Sequence, residues 1–134
     1  MGAWGIQSFA NDDAMDWLPI LESSDDFTAV HDALDAVADS GGDYLEAPEC
    51  SVALAAAEVV AAMRGRASPD LPAKVMAWVE ARGGQMDPAL VDLGRRAVDA
   101  VRGRSELSEL WDEADPEDRD AWRAVVADLR ARLS

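Results

Sequence analysis

The sequence predicts an all-α protein, a single-domain bundle of six to seven helices with a central apolar third helix and an irregular N-terminal arm. Apolar residues recur at three- and four-residue steps along most of the chain, which is typical of amphipathic helices. Asp-Pro and Arg-Gly pairs mark where these segments begin and end. A length of 134 residues and a hydrophobic content of 49% predict one domain, residues 1–134, whose core needs no disulfide.

The N-terminal arm covers residues 1–10, which are rich in glycine and aromatic side chains. Asn11 and Asp12 are good N-cap residues for a short first helix that runs through Trp17 and Leu18. Pro19 is expected to end or kink this helix, because proline has no N–H to donate and its ring crowds the preceding turn.

The second helix shows the clearest apolar stripe. The stripe consists of Phe27, Val30, Leu34 and Val37. Ser24 or Asp25 is expected to cap this helix, and Gly41-Gly42 to end it. Asp32, Asp35 and Asp39 recur on another face of the same helix.

The third helix is predicted to start near Pro48 and to run to Arg64. Its middle is apolar almost all round, so we expect neighbours on several sides. Glu58 is its only charge between Ser51 and Met63. A carboxylate there needs a partner. We expect a structural ion pair or hydrogen bond from Arg95, Arg96, Trp4 or Trp17, and the alternative is a perturbed acid in a pocket.

Four more helices are predicted from caps and periodicity. The fourth covers residues 71–82, and the fifth opens at Asp87-Pro88 and ends at Arg102-Gly103. A short helix follows Ser105, and the last opens at Asp115-Pro116. Pairs at i, i+4 or i, i+3 are expected to neutralise arginines locally. These are Asp92 with Arg96, Asp115 with Arg119, Asp128 with Arg132, Asp99 with Arg102, and Asp120 with Arg123.

Charge is divided unevenly along the chain. Residues 1–63 hold thirteen acids and no lysine or arginine, whereas residues 64–134 hold fourteen acids and all twelve basic side chains. The two parts carry −13 and −2, which gives the net charge of −15. Such asymmetry favours an acidic interaction surface. It disfavours nucleic acid and anionic membranes, which recruit lysine and arginine.

Several further classes are made improbable by the sequence. A single histidine and a single cysteine exclude a conventional zinc site, and no cofactor motif is present. His31 with Asp35, and Cys50 or Ser51 as nucleophile, lack any local catalytic signature, so we interpret His31 as a residue hydrogen-bonded to Asp35. The start MGAWGIQSF has no basic region and no long apolar run, which predicts no signal peptide. One cysteine and an arginine- and alanine-rich composition predict a bacterial, cytoplasmic protein.

Five tryptophans have two predicted roles. Trp78, Trp111 and Trp122 fall on core stripes. Trp4 and Trp17 lie in the acidic half, where they are candidates to line a partner groove because tryptophan is favoured at interface centres.

Three stretches carry a resemblance to a known family. They are AWGIQSFANDDAMDW, YLEAPECSVALAAAEVVAAMRG and SELSELWDEADPEDRDAWRAVVADLRARL, which cover nearly the whole chain. Together they resemble domain-of-unknown-function family 4259, although Gln7 stands where glycine is common in the family. The resemblance implies one domain in a small bacterial protein and assigns no catalytic residues.

We therefore expect a non-enzymatic module whose acidic N-terminal half binds a basic protein, for example a cationic toxin or nuclease that it neutralises. The candidate binding residues are Trp4, Asp12, Asp13, Asp16, Trp17, Asp32, Asp35, Asp39, Glu46 and Glu49. One alternative is a hydrolase or transferase that uses Asp12, Asp16, Glu46 and Glu58 with Mg²⁺ or Mn²⁺. Another is that the charge serves only solubility.

The positions of four later arginines determine whether the acids of residues 1–63 are covered by basic side chains or remain accessible to a partner. The relevant side chains are Arg64, Arg66, Arg95 and Arg96. Either they dock against the acids of residues 1–63, or that acidity faces water or a partner. The sequence leaves the oligomeric state open.

Overall fold

A computed structural model describes residues 5–39, 44–82, 87–103 and 105–134, and these contain seven helices. The helices are α1 (Asp12–Glu22), α2 (Thr28–Ala38), α3 (Ala47–Met63), α4 (Ala73–Glu80), α5 (Pro88–Gly103), α6 (Glu106–Asp112) and α7 (Pro116–Arg132). The predicted all-α, single-domain bundle is confirmed. Leu45 and Ser105 form an isolated β-bridge. None of the helices in this part of the chain is long and apolar enough to cross a bilayer.

The third helix is the centre of the bundle, as predicted. α3 is buried almost continuously from Cys50 to Ala62 and contacts each of the other six described helices. Its alanines leave room for close neighbours, and α2 and α5 pack most extensively against it. Gly65 follows α3 with φ of +80°, the left-handed conformation expected of the glycine after a helix.

The first helix is longer than the sequence predicted. Asn11 caps α1, since its Oδ1 accepts a hydrogen bond from the Ala14 N–H at 2.8 Å. Pro19 lies inside α1 and does not end it. Burial of Trp17, Leu18 and Leu21 on the inner side holds the last turns in place, because tertiary packing outweighs local propensity.

Two other helix boundaries also differ from the prediction. α2 begins at Thr28, after Asp26 Oδ1 accepts the Thr28 N–H at 3.0 Å, so neither Ser24 nor Asp25 is its cap. α4 covers Ala73–Glu80 and begins after Pro72, two residues inside each predicted end. The predicted stop at Gly41-Gly42 lies outside the described residues.

The described part of the N-terminal arm, residues 5–10, has no helix or strand, as expected. Ser8 and Phe9 are buried there, so the arm is fixed to the bundle by one polar and one aromatic side chain. Trp4 lies outside the described residues.

Candidate functional site

Four arginines were candidates to cover the acids of residues 1–63, and three of them contact the C-terminal end of α7 instead. Arg64 Nη1 and Arg95 Nε both donate to the Leu133 carbonyl, at 2.7 and 2.6 Å. Arg66 Nη1 donates to the Ser134 carbonyl at 3.0 Å. These carbonyls lie at the C-terminal end of α7, where the helix dipole is negative. Three of the four guanidinium groups therefore cap α7.

Arg96 is the member of this set that reaches the acidic half. Its Nη1 contacts Asp39 Oδ1 at 2.9 Å, and its Nε contacts Asp92 at 3.2 Å. Arg82 donates to the Ser24 carbonyl and lies 4.0 Å from the centroid of the Trp78 ring. Within the described residues, and leaving Asp12 aside, Asp39 and Glu58 are thus the N-terminal acids that an arginine contacts.

The acids of α1, of α2 and of the segment between them form what we call the acidic surface. Its members are Asp12, Asp13, Asp16, Glu22, Asp25, Asp26, Asp32, Asp35 and Asp39, all exposed or half-buried. Asp12 makes further contacts of its own. Among the other members, and within the described residues, Asp39 is the one ion-paired with an arginine.

Asp32 and Asp35 of α2 and Asp39, which follows its last residue, are brought together, as their spacing predicted. The pKa of Asp35 is raised, first because its carboxyl hydrogen-bonds Asp39, then by partial burial and by the charges of Asp39 and Asp32. The pKa of Asp39 is lowered, first by that same hydrogen bond and then by Arg96. Asp35 and Asp39 therefore lie close enough together to shift each other's pKa values.

Glu46 and Glu49 are also exposed, but they lie at the start of α3 beside α6. The Ala47 N–H donates to Glu106 Oε1 at 2.7 Å, and Tyr44 Oη donates to Glu109 Oε2 at 2.7 Å. The acceptor Glu109 raises the pKa of Tyr44 to about 12. The acids of α6 thus have structural roles at this junction.

Trp17 does not line the acidic surface, contrary to the prediction. It is 6% exposed and belongs to the core, because α1 turns Ala14, Trp17, Leu18 and Leu21 inward. Trp78 and Trp122 are buried as predicted, and Trp111 stacks on Trp122 with ring centroids 6.0 Å apart.

Glu58 is held in a structural ion pair, which confirms the structural interpretation but corrects the predicted partners. Its carboxylate accepts from Arg132 Nη1 at 2.8 Å, from Arg132 Nη2 at 3.2 Å and from Ser8 Oγ at 2.9 Å. Among the described residues the donors are therefore not Arg95, Arg96 or Trp17, and Trp4 lies outside that part of the chain. The space beside Glu58, lined by Ser8 and Asp70 among others, is about 10 Å³, which is one water molecule at most.

Arg132 joins this ion pair to the surface. It donates to the Arg66 carbonyl at 3.1 Å and to Asp128 Oδ2 at 2.8 Å. Burial alone would lower the pKa of Arg132, but hydrogen bonds and charge from Glu58 and Asp128 outweigh burial and raise it. The network thus links the arm, α3 and α7.

The residues considered for nucleophilic chemistry have separate environments. His31 is exposed, and its Nδ1 lies 3.6 Å from Asp32 rather than bonded to Asp35. Cys50 is buried in the core, and burial raises its thiol pKa to about 11. Cys50 is therefore a neutral thiol at physiological pH, unsuited to nucleophilic attack. The described residues contain no group of three or more His, Cys, Asp or Glu placed to hold a metal ion.

Sequence reasoning missed an exposed apolar patch on α1. Ile20 is 55% exposed and Met15 is 37% exposed, and Pro19 between them is exposed as well. These residues share the outer side of α1 with Asp12 and Asp16. Their i, i+4 spacing, Met15 to Pro19 and Asp16 to Ile20, was the available signal, because it places them side by side on a helix.

The fold and surface define a small acidic helical domain with solvent-exposed carboxylates on two of its helices. The chain belongs to the family DUF4259, described as a domain of unknown function, whose profile matches residues 2–125. Comparison with curated proteins and with solved structures gave no significant match.

Proposed function

We propose that this protein is a non-enzymatic binding module whose acidic surface engages a basic protein, such as a cationic toxin or nuclease that it neutralises. The observation that carries the proposal is the placement of the arginines. Arg64, Arg66 and Arg95 donate to carbonyls at the end of α7 and leave the acids of α1 and α2 facing outward.

Charge complementarity sets the expected character of the interaction. A surface of like charges raises the local concentration of an oppositely charged partner and speeds encounter. Salt screens such attraction, because the Debye length falls from about 30 Å at 0.01 M to about 8 Å at physiological ionic strength. Binding is therefore expected to be fast at low salt and to weaken as salt is added.

The state of Glu58 favours this proposal over metal-dependent catalysis. Glu58 was one of the carboxylates considered for a Mg²⁺ or Mn²⁺ site, and its oxygens already accept hydrogen bonds from Arg132 and Ser8. A carboxylate whose oxygens already accept these hydrogen bonds is a poor metal ligand, since binding a metal ion would break a buried ion pair.

We also propose that the protein acts in a bacterial cytoplasm. The buried thiol of Cys50 suits a reducing compartment, and the excess of arginine and alanine suits a GC-rich bacterial genome.

The proposal is tested by capture of basic proteins from a bacterial lysate with charge-matched variants. The N-terminal variant carries Asp16→Asn, Glu22→Gln, Asp32→Asn and Asp35→Asn. The C-terminal control carries Glu80→Gln, Glu113→Gln, Glu117→Gln and Asp118→Asn. Each variant changes the net charge from −15 to −11, so any difference between them reports position and not total charge.

The wild type and the C-terminal control are expected to retain the same basic protein at low salt and to release it in a salt gradient. The N-terminal variant is expected to lose retention or to release the protein at lower salt. Equal behaviour of the two variants would mean that the charge serves general solubility, and retention that ignores salt would contradict an electrostatic partner.

A further inference from the structure

The outer side of α1 combines negative charge with exposed apolar area, and no other described helix shows this combination to the same degree. We define the α1 outer face as Asp12, Met15, Asp16, Pro19 and Ile20, all of which are exposed. Exposed large apolar side chains in the described residues are Met15, Ile20 and Tyr44, and two of the three lie on this face.

Helix geometry makes these residues neighbours. Met15 and Pro19 are one turn apart, and so are Asp16 and Ile20, so the two rows lie side by side. The opposite side of α1 is fully used, because Ala14, Trp17, Leu18 and Leu21 are buried. The α1 outer face is therefore an amphipathic strip left over after the core has formed.

Pro19 changes the backbone hydrogen bonding along this strip. Proline has no N–H, so the Met15 carbonyl does not receive the hydrogen bond that residue 19 would donate in a regular helix. Ile20 has the opposite arrangement, since Ser23 Oγ and Ser24 Oγ both donate to its carbonyl, at 3.1 and 2.8 Å. The backbone hydrogen bonds along this strip thus differ from those of a regular helix.

We propose that the α1 outer face docks a basic amphipathic segment of the partner, one that presents lysine or arginine around an apolar residue. This inference rests on the proposed function and specifies its partner. Charge complementarity argues for this occupant over a second copy of the chain, because a net charge of −15 with acids on the same face repels another copy. An apolar anchor surrounded by a charged rim is also the usual anatomy of a specific interface.

The test uses two synthetic helical peptides of equal length and charge. One carries leucine along one side of the helix and lysine along the other, and the second peptide has glutamine in place of every leucine. Their affinities for the wild type, for Ile20→Ser and for Tyr44→Ser are measured by fluorescence anisotropy at low and physiological salt. Tyr44→Ser is the matched control, because Tyr44 is 58% exposed and lies outside α1.

The wild type is expected to bind the leucine peptide more tightly than the glutamine peptide and to keep part of that preference at physiological salt. Ile20→Ser is expected to weaken binding of the leucine peptide about fivefold, which is the scale of an interface anchor. It is expected to leave the affinity for the glutamine peptide unchanged. Tyr44→Ser is expected to bind both peptides as the wild type does. Melting temperatures near that of the wild type would show that both variants fold.

The outcomes separate this inference from the function on which it rests. Equal binding of both peptides, unaffected by Ile20→Ser, would contradict docking at the α1 outer face but remain consistent with the proposed function of the acidic surface. Binding of neither peptide at low salt would contradict the proposed function itself. A wild-type dimer in sedimentation, dissociated by Ile20→Ser, would assign the face to a second copy and overturn the inference.

Discussion

In the described part of residues 64–134, five carboxylates are ion-paired with an arginine, whereas in the described part of residues 1–63, leaving Asp12 aside, two are. In residues 64–134, Arg119 pairs with Asp120, Arg123 with Asp112, and Arg130 with Asp99. In the described part of residues 1–63, and leaving Asp12 aside, ion pairs with arginine are formed by Asp39 and Glu58. The N-terminal half has no basic residue of its own, so compensation there depends on side chains that the fold brings from a distance.

This difference between the two halves shows which contacts the few arginines make. Several of them satisfy carbonyls at the end of α7 or stack on an indole. Exposed ion pairs contribute little to stability, about 0–1 kcal/mol each, so the fold does not require the N-terminal acids to be neutralised. Uncovered acidity is therefore compatible with a stable domain.

The largest effect is expected where an N-terminal acid is buried and compensated. Arg132→Ala should lower the free energy of unfolding by about 3 kcal/mol, because it leaves the Glu58 carboxylate buried without its cation. Glu58 is 3% exposed at its side chain and Arg132 is 15% exposed. Urea denaturation of the variant and the wild type measures the difference.

Arg123→Ala is the matched control for this substitution. Arg123 and Asp112 are both about half exposed, so its loss should cost about 0.5 kcal/mol. Similar losses in the two variants would show that burial does not distinguish Glu58 from the surface acids. The double variant Glu58→Met/Arg132→Leu is expected to recover part of the stability, because no unpaired charge remains.

A smaller effect is expected from the interaction of Asp35 in α2 with Asp39, the residue that follows α2. The folded pKa of Asp35 is raised above its ordinary value of 3.8, so the folded state binds its proton more tightly. This contribution to stability is complete at low pH and is lost as the pH rises through the raised pKa. Asp39 has the opposite sign, since its lowered pKa contributes stability that is lost as the pH falls below 3.8.

In low salt, Asp39 should therefore make the melting temperature rise with increasing pH up to pH 3.8. Asp35 should make it fall as the pH increases further. Asp35→Asn should remove the fall, and Asp118→Asn, an exposed acid of α7, should keep the wild-type profile. Melting curves from pH 3 to pH 8 measure this. A wild-type melting temperature that climbs steadily above pH 5 would show that pairing, not repulsion, dominates the acids.

Much of the fold followed from local signals. The apolar surroundings of α3 predicted its central position, and the Asn11 cap and the glycine at position 65 were correctly interpreted. The end of α1 was missed because tertiary burial of its inner side overrides the local effect of Pro19. Local i, i+4 pairing was right for Asp92–Arg96 and Asp128–Arg132.

Long-range partners were beyond reach from the sequence. Arg119, Arg123 and Asp99 pair outside their predicted i, i+3 or i, i+4 partners, and Glu58 meets Arg132 from the far end of the chain. A long flexible arginine has many acids within reach once helices pack, so spacing alone does not select one. Trp17 was misplaced for a related reason, since an indole beside acids suits either a core or an interface.

The electrostatic potential near each backbone amide is the most direct measure of whether the acidity of the N-terminal half remains uncovered. It is obtained from the ratio of NMR relaxation enhancements produced by a cationic and an anionic nitroxide of equal size. Amides of α1 and α2 are expected to be relaxed far more by the cationic probe, and those at the C-terminal end of α7 to show a much smaller preference or none. Equal ratios at α1, α2 and the end of α7 would contradict an acidic surface left available for a basic partner.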